Sequence, residues 1–208
     1  MLTSTESPIR VDFVSQAAHG QPGRLGLTIA PGKCDDRWKR DLAVDLRRLR
    51  DHYHADVLVS LLEPDEYQAL GIAGLADAAE KSGITVLRLP IPDVSVPASM
   101  ERCRATVAEM VTALAADKTV IVHCRGGLGR SGLVAACCLT ACGAEPDVAI
   151  RCVREARPGA VETKAQERFV ARFAKAWQEM RADRGADDAG KPARDRHGHL
   201  TQRQGRGI

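Results

Sequence analysis

Residues 123–132 read His-Cys-Arg-Gly-Gly-Leu-Gly-Arg-Ser-Gly, a glycine-rich loop that joins Cys124 to Arg130. The apolar run Thr119-Val-Ile-Val-His123 leads in, and Leu133-Val-Ala-Ala-Cys-Cys-Leu139 leads out with a helical pattern. Strand, tight loop and helix make an anion cradle, because successive backbone N–H groups and the helix N-terminus converge on one spot. Cys124 opens that cradle, where helix N-termini and nearby cations draw a thiol pKa from about 8.5 down to roughly 3.5–7.5. A thiolate facing a site built for a tetrahedral dianion implies phosphoryl transfer through a cysteinyl-phosphate. Arg130 closes the cradle with a planar fork able to grip two phosphate oxygens. Arg125, Gly126, Gly127, Leu128 and Gly129 supply the loop between them.

The loop lacks the Gly-Lys-Ser/Thr ending of a Walker loop, and a nucleophile occupies the turn where a dinucleotide fingerprint has none. Composition narrows the classes further. A chain of 208 residues suits one domain with a tail. Its formal charge of +3 is too small to argue for nucleic acid. Seven cysteines (34, 103, 124, 137, 138, 142, 152) form an odd set with no Cys-x-x-Cys pair, so neither a metal site nor a secreted disulfide framework is expected. Cys137, Cys138 and Cys142 read as small core residues on one helical face; the sharper reading makes one of them a resolving thiol for oxidised Cys124. The N-terminus has no apolar segment of signal-peptide type, and no run reaches the ~20 residues of a membrane helix. The expected setting is the cytoplasm, with no cofactor, metal or membrane partner.

Alternating patterns set the architecture. Strands are expected at 24–30, 56–62, 84–89 and 119–123, and helices at 38–53, from Pro97, and over 130–142, 146–157 and 163–181. Alternation of this kind implies an α/β fold, a mainly parallel sheet flanked by helices, with ligands bound beyond the carboxyl ends of the strands. Cys124 falls there. Residues 1–23 read as an N-terminal segment, 24–182 as the catalytic domain and 183–208 as a disordered polar tail. His197 and His199 in that tail read as solvated rather than metal-binding.

The cysteinyl-phosphate route needs an acid for the leaving oxygen. Asp93 in Leu89-Pro-Ile-Pro-Asp-Val94 is the candidate, on a loop after a strand expected to neighbour the cysteine strand. The plain alternative is a cap on the turn after Pro92. Ser131 can cap the helix or donate to the Cys124 sulfur in the second step. His123 is turned away from the phosphate by strand alternation and is expected to hold the loop backbone.

His123-Cys-x-x-Gly-x-x-Arg-Ser131 resembles the cysteine-dependent protein tyrosine and dual-specificity phosphatase superfamily. Gly-Gly-Leu-Gly-Arg-Ser in the loop, Leu133-Val-Ala-Ala-Cys137 after it and Gly26-Leu ahead of Pro31-Gly are similar to its kinase-associated branch, the cyclin-dependent kinase inhibitor 3-like phosphatases. The resemblance spans roughly residues 24–180. It implies a phosphatase-type fold and a phosphorylated protein substrate, with Cys124 as nucleophile, Arg130 as clamp, Asp93 as acid and Ser131 as helper of thiolate departure. Two departures stand out. Where tyrosine-specific relatives carry a water-positioning Gln just before a Thr, this chain has Glu162, a second base or a group that repels substrate. Gln166 is a substitute, or the partner of Thr163 in a capping box. Arg125 is either a rim charge or a solvated side chain. Dephosphorylation of phosphotyrosine, with phosphoserine or phosphothreonine as further substrates, is the leading reading. Phosphoinositides or other small phosphoesters are the alternative, disfavoured by the absence of lysine from the loop. A catalytically weak phosphopeptide-binding module is the other alternative, and retention of Cys124, Arg130 and Asp93 argues against it.

Overall fold

A computed structural model describes residues 1–189, with side chains through 182. In chain order the elements are β1 (Leu2–Thr3), β2 (Asp12–Phe13), β3 (Arg24–Thr28), β4 (Trp38–Lys39), α1 (Leu42–Asp51), β5 (Ala55–Ser60), α2 (Pro64–Ala69), α3 (Leu75–Lys81), β6 (Thr85–Arg88), α4 (Met100–Ala115), β7 (Thr119–His123), α5 (Gly129–Ala141), α6 (Pro146–Ala156) and α7 (Lys164–Ala189). The main sheet runs β2-β3-β7-β5-β6. β3, β7, β5 and β6 are parallel, and β2 adds an antiparallel edge.

Every residue of β7 is buried, as expected of a central parallel strand covered on both faces. Its Ile121 packs with Leu46 and Leu49 of α1 and Leu75 and Ala79 of α3. Alternation turns Val120 and Val122 to the other face. There α4 and α5 lie against β7. All thirteen residues of α5 are buried, so this helix is apolar all round because it is enclosed, not because it binds lipid. Its N-terminus is thereby fixed beneath the end of β7, with the cysteine loop between them.

Four boundaries differ from the sequence reading. Trp38 is not helical: Trp38–Lys39 pairs with Leu2–Thr3, and α1 starts at Leu42, where the Asp41 side chain accepts from the Val44 N–H. The 1–23 segment is not separate. β2 joins the sheet, and Ile9, Val11 and Val14 are buried, because Gly26 of β3 leaves room for them; a Cβ there would lie 2.4 Å from Val11 Cγ1. Strands of two residues carry too little periodicity to be read in advance. The strand before Asp93 does not neighbour the cysteine strand, since β5 lies between β6 and β7. Finally, α7 continues to Ala189, into the segment expected to be unstructured, and the rest of that tail, with His197 and His199, lies outside the described residues.

The chain divides into two units, Met1–Ala174 and Lys175–Ile208. Within the second, the described residues, 175–189, are helical, with a Lys175–Glu179 pair at 3.9 Å one turn apart. Among the described residues no helix is long and apolar enough to cross a membrane.

Candidate active site

β7 ends at His123, so Cys124 is the first residue of the loop and Gly129 the first of α5. The Cys124 sulfur accepts the Gly127 N–H at 3.2 Å and lies 3.7 Å from the Ser131 Oγ. The Gly127 amide places a donor on the sulfur, and the Ser131 hydroxyl is within reach to supply a second. The turn that aims the Gly127 amide needs φ +72° there, and a Cβ would sit 2.4 Å from the Thr28 carbonyl oxygen. Only glycine fits such a position without displacement. Cys124 is 4% exposed, at the floor of a cavity of about 270 Å³ bordered by Arg130, Asp93, Arg125, Glu162 and Lys33.

Arg130 enters this cavity from the first turn of α5. Its side chain is 1% exposed. Nη1 donates to Glu66 Oε2 at 2.6 Å and to the Ile91 carbonyl at 3.0 Å, and Nη2 donates to Glu66 Oε1 at 2.9 Å. Nη2 also lies 2.9 Å from Asp93 Oδ1. The Nε–H, buried like the rest, has no partner among the described residues. Burial opposes the Arg130 charge, but Glu66, Cys124 and Asp93 outweigh it and the guanidinium is held more firmly protonated than usual. Burial likewise pushes the Glu66 carboxyl up, yet hydrogen bonds from Arg130 and the Glu63 amide prevail, and the net displacement is downward.

Glu66 escaped the sequence reading. Its signal was local: in Glu63-Pro64-Asp65-Glu66, Glu66 closes a capping box by accepting the Glu63 N–H at 2.9 Å. Nothing in that pattern shows that the same carboxylate also holds an arginine 64 positions away.

The remaining residues fall as follows. Asp93 is 61% exposed at its side chain. It accepts the Val94 N–H at 3.1 Å, so it both caps its turn and meets Arg130. Its loop reaches the site despite the intervening strand, because Leu89 and Ile91 donate to the Ser60 and Leu61 carbonyls and carry the chain along the end of β5. His123 Nδ1 contacts the Cys124 carbonyl at 3.3 Å. Burial drives the His123 imidazolium down to about 4, so the ring is neutral and supports the loop backbone. Gln166 is fully buried; its Oε1 accepts from the Glu162 and Thr163 amides, and its backbone N–H donates to Thr163 Oγ1 at 3.1 Å. This last bond completes the capping box. Glu162 stands over the loop, its Oε2 only 2.1 Å from where a Cβ on Gly129 would be. Arg125 is exposed on the rim.

All seven cysteines are free. Burial and a hydrogen bond with Cys103 raise the Cys137 thiol, and a hydrogen bond with Cys142 followed by burial raises Cys138. Both are buried core groups held in their protonated form.

A nucleophilic sulfur, an arginine with a buried open donor and a carboxyl at its edge together can accept a phosphoryl group and protonate what leaves it. Known proteins are similar to this chain in sequence and fold. Residues 75–170 match the family described as PTP-SAK, Swiss Army Knife protein, DSP-PTPase phosphatase domain. The rat protein named cyclin-dependent kinase inhibitor 3 is 30% identical over 171 residues, covering 81% of this chain and 80% of its own length. A crystal structure of kinase associated phosphatase with its catalytic-site cysteine changed to serine superposes with TM-score 0.78 at 27% identity, over 83% of this chain and 98% of that one. The active form of Tk-PTP gives TM-score 0.61 at 29% identity, over 79% and 96%.

Proposed function

The chain belongs to the cysteine-dependent protein tyrosine and dual-specificity phosphatase superfamily, in its kinase-associated branch, and we propose that Cys124, Arg130, Asp93 and Ser131 carry its reaction. It is a protein phosphatase that hydrolyses phosphotyrosine, with phosphoserine and phosphothreonine within the reach of the family. The buried, unpartnered Nε–H of Arg130 carries the residue assignment. Buried donors without partners are rare and call for a reason. Here the reason is a phosphoryl oxygen, which Nε and the outer face of Nη2 would hold as a two-point pair while Glu66 keeps the rest of the fork.

In the first step Cys124 Sγ attacks phosphorus, the bond from phosphorus to the substrate oxygen breaks, and Asp93 gives that oxygen its proton. Phosphoryl oxygens replace Asp93 at Nη2, which releases the carboxyl to turn toward the leaving group. In the second step water attacks phosphorus, the Asp93 carboxylate takes a water proton, and the P–S bond breaks. Ser131, at 3.7 Å, donates to the departing sulfur. The Gly127 amide does the same from its 3.2 Å contact.

The substrates are phosphorylated proteins, and seven free cysteines suit a reducing, cytoplasmic setting. The test is turnover of phosphotyrosine, phosphothreonine and phosphoinositide substrates by the wild type beside Cys124→Ser. The variant should lose at least about a thousandfold in kcat while still binding vanadate, because the cradle is intact and only the nucleophile is weakened. Activity within about tenfold of wild type would rule out the covalent route.

A further inference from the structure

Two carboxylates border the active-site cavity, Asp93 and Glu162. Asp93 lies 2.9 Å from Arg130, and Lys33 on the same lining meets Asp35 at 3.3 Å. Glu162 is unmatched. It is exposed, and its carboxylate has no hydrogen-bond or ion-pair partner among the described residues. Arg125, the exposed cation of the rim, lies toward Lys33 and Glu66, on whose ionisation its charge acts.

The backbone holds Glu162 there under strain. Val161, just before it, is β-branched and buried, yet has φ +56°, in the left-handed region. Such a conformation persists only where its surroundings over-determine it, and it concentrates at functional sites. Arg154 donates to the Ala160 carbonyl at 3.0 Å and to the Val161 carbonyl at 2.8 Å, and Gln166 Oε1 accepts the Glu162 N–H at 2.9 Å. The turn so fixed lays the Glu162 side chain over the phosphate loop. Gly129 makes the room, since a Cβ there would lie 2.1 Å from Glu162 Oε2. Gln166 Nε2 donates to the Ser95 carbonyl at 3.1 Å, which ties this turn to the loop that carries Asp93.

A phosphoryl dianion over Cys124 is repelled by this carboxylate, because the first turn of α5 that Glu162 touches is part of the same cradle. The repulsion turns to attraction when the substrate brings a cation of its own, which can stand between the two anions and neutralise both. We propose that Glu162 is a specificity-determining residue that selects phosphopeptides with a lysine or arginine one or two positions from the phosphoresidue. The proposal rests on the phosphatase reading above and narrows its substrates. The spacing follows from chain geometry: each extended residue spans roughly 3.3–3.6 Å, and Glu162 lies against the phosphate loop itself.

Matched phosphotyrosine peptides test this, with lysine, alanine or glutamate placed one or two positions away on either side. In the wild type the best lysine peptide should exceed its alanine counterpart in kcat/KM by about fivefold, the size of a good ion pair at a protein surface, and the margin should shrink with added salt. The glutamate peptide should fall below the alanine peptide. Glu162→Gln keeps the side-chain shape and the backbone bond to Gln166. It should bring the lysine-to-alanine ratio near one and tighten inhibition by vanadate, because the repulsion is gone. A ratio near one at every position in the wild type, with p-nitrophenyl phosphate still hydrolysed, overturns the proposal and leaves the phosphatase reading standing. A lysine preference that survives Glu162→Gln overturns it as well. No turnover of p-nitrophenyl phosphate or any peptide would instead overturn the phosphatase reading.

Discussion

Glu66 and Arg130 form a two-point ion pair at 2.6 and 2.9 Å, which fixes the guanidinium plane at the end of the sheet before any substrate arrives. Arg130 is a clamp only if its free edge faces Cys124, and Glu66 determines which edge is free. Glu66→Gln should keep the capping box, since an amide oxygen can still accept the Glu63 N–H. It should leave a buried cation short of its counter-charge, at a cost of about 3 kcal/mol. The expected kinetic signature is a kcat/KM loss of about tenfold or more together with weaker phosphate inhibition. Urea midpoints and the phosphate inhibition constant check both parts; unchanged phosphate affinity would separate Glu66 from the clamp.

Asp93 is mostly exposed and its partner Arg130 keeps Glu66 when it is lost, so Asp93→Asn should alter stability by less than about 0.5 kcal/mol. Catalysis should respond according to the leaving group. An activated aryl ester departs without a proton, whereas phosphotyrosine, and an alkyl phosphate more so, needs one. We expect little change on the former and a drop of about a hundredfold on the latter two. Equal losses on all substrates would mean that Asp93 is not the acid.

His123 makes stability depend on pH. Its folded pKa, about 4, lies below its ordinary 6.5. The unfolded chain therefore binds the proton first as pH falls, and the stability present above pH 6.5 is lost progressively down to about 4, below which this group adds no further slope. The span corresponds to about 3 kcal/mol. Urea unfolding at a series of pH values measures it, and His123→Gln should flatten the curve between those limits. A slope that survives the substitution would place the effect elsewhere.

Gly127→Ala is expected to be severe for two reasons that add. The left-handed φ of +72° disfavours a side chain, and the new methyl would strike the Thr28 carbonyl, which belongs to a strand and cannot retreat. Stability should fall by about 2 kcal/mol or more, and turnover should fall with it as the amide leaves the Cys124 sulfur. Gly126→Ala is the control, since a Cβ there meets nothing within 4 Å. Similar effects for the two would argue against the close-approach explanation.

The cysteine loop was legible because strand, glycines, nucleophile and arginine lie within ten consecutive residues, and the backbone itself holds them at contact distance. The same is true of the capping box at Thr163, whose partner Gln166 is three positions away. A long periodic segment such as α4 was equally readable, since its buried face recurs locally along the chain. The two-residue strands were not, and their absence from the reading left residues 1–23 outside a domain that in fact buries Ile9, Val11 and Val14. The strand order was also hidden: a run of apolar residues says that a strand is buried, not which strand lies beside it, so β5 between β6 and β7 could be learned only from the fold. Glu66 on Arg130 is a consequence of that order, because α2 follows β5 and β5 lies beside β7. Sequence determines chemistry where partners are neighbours along the chain; partners separated by tens of residues meet only where packing brings them, and there the tertiary structure decided.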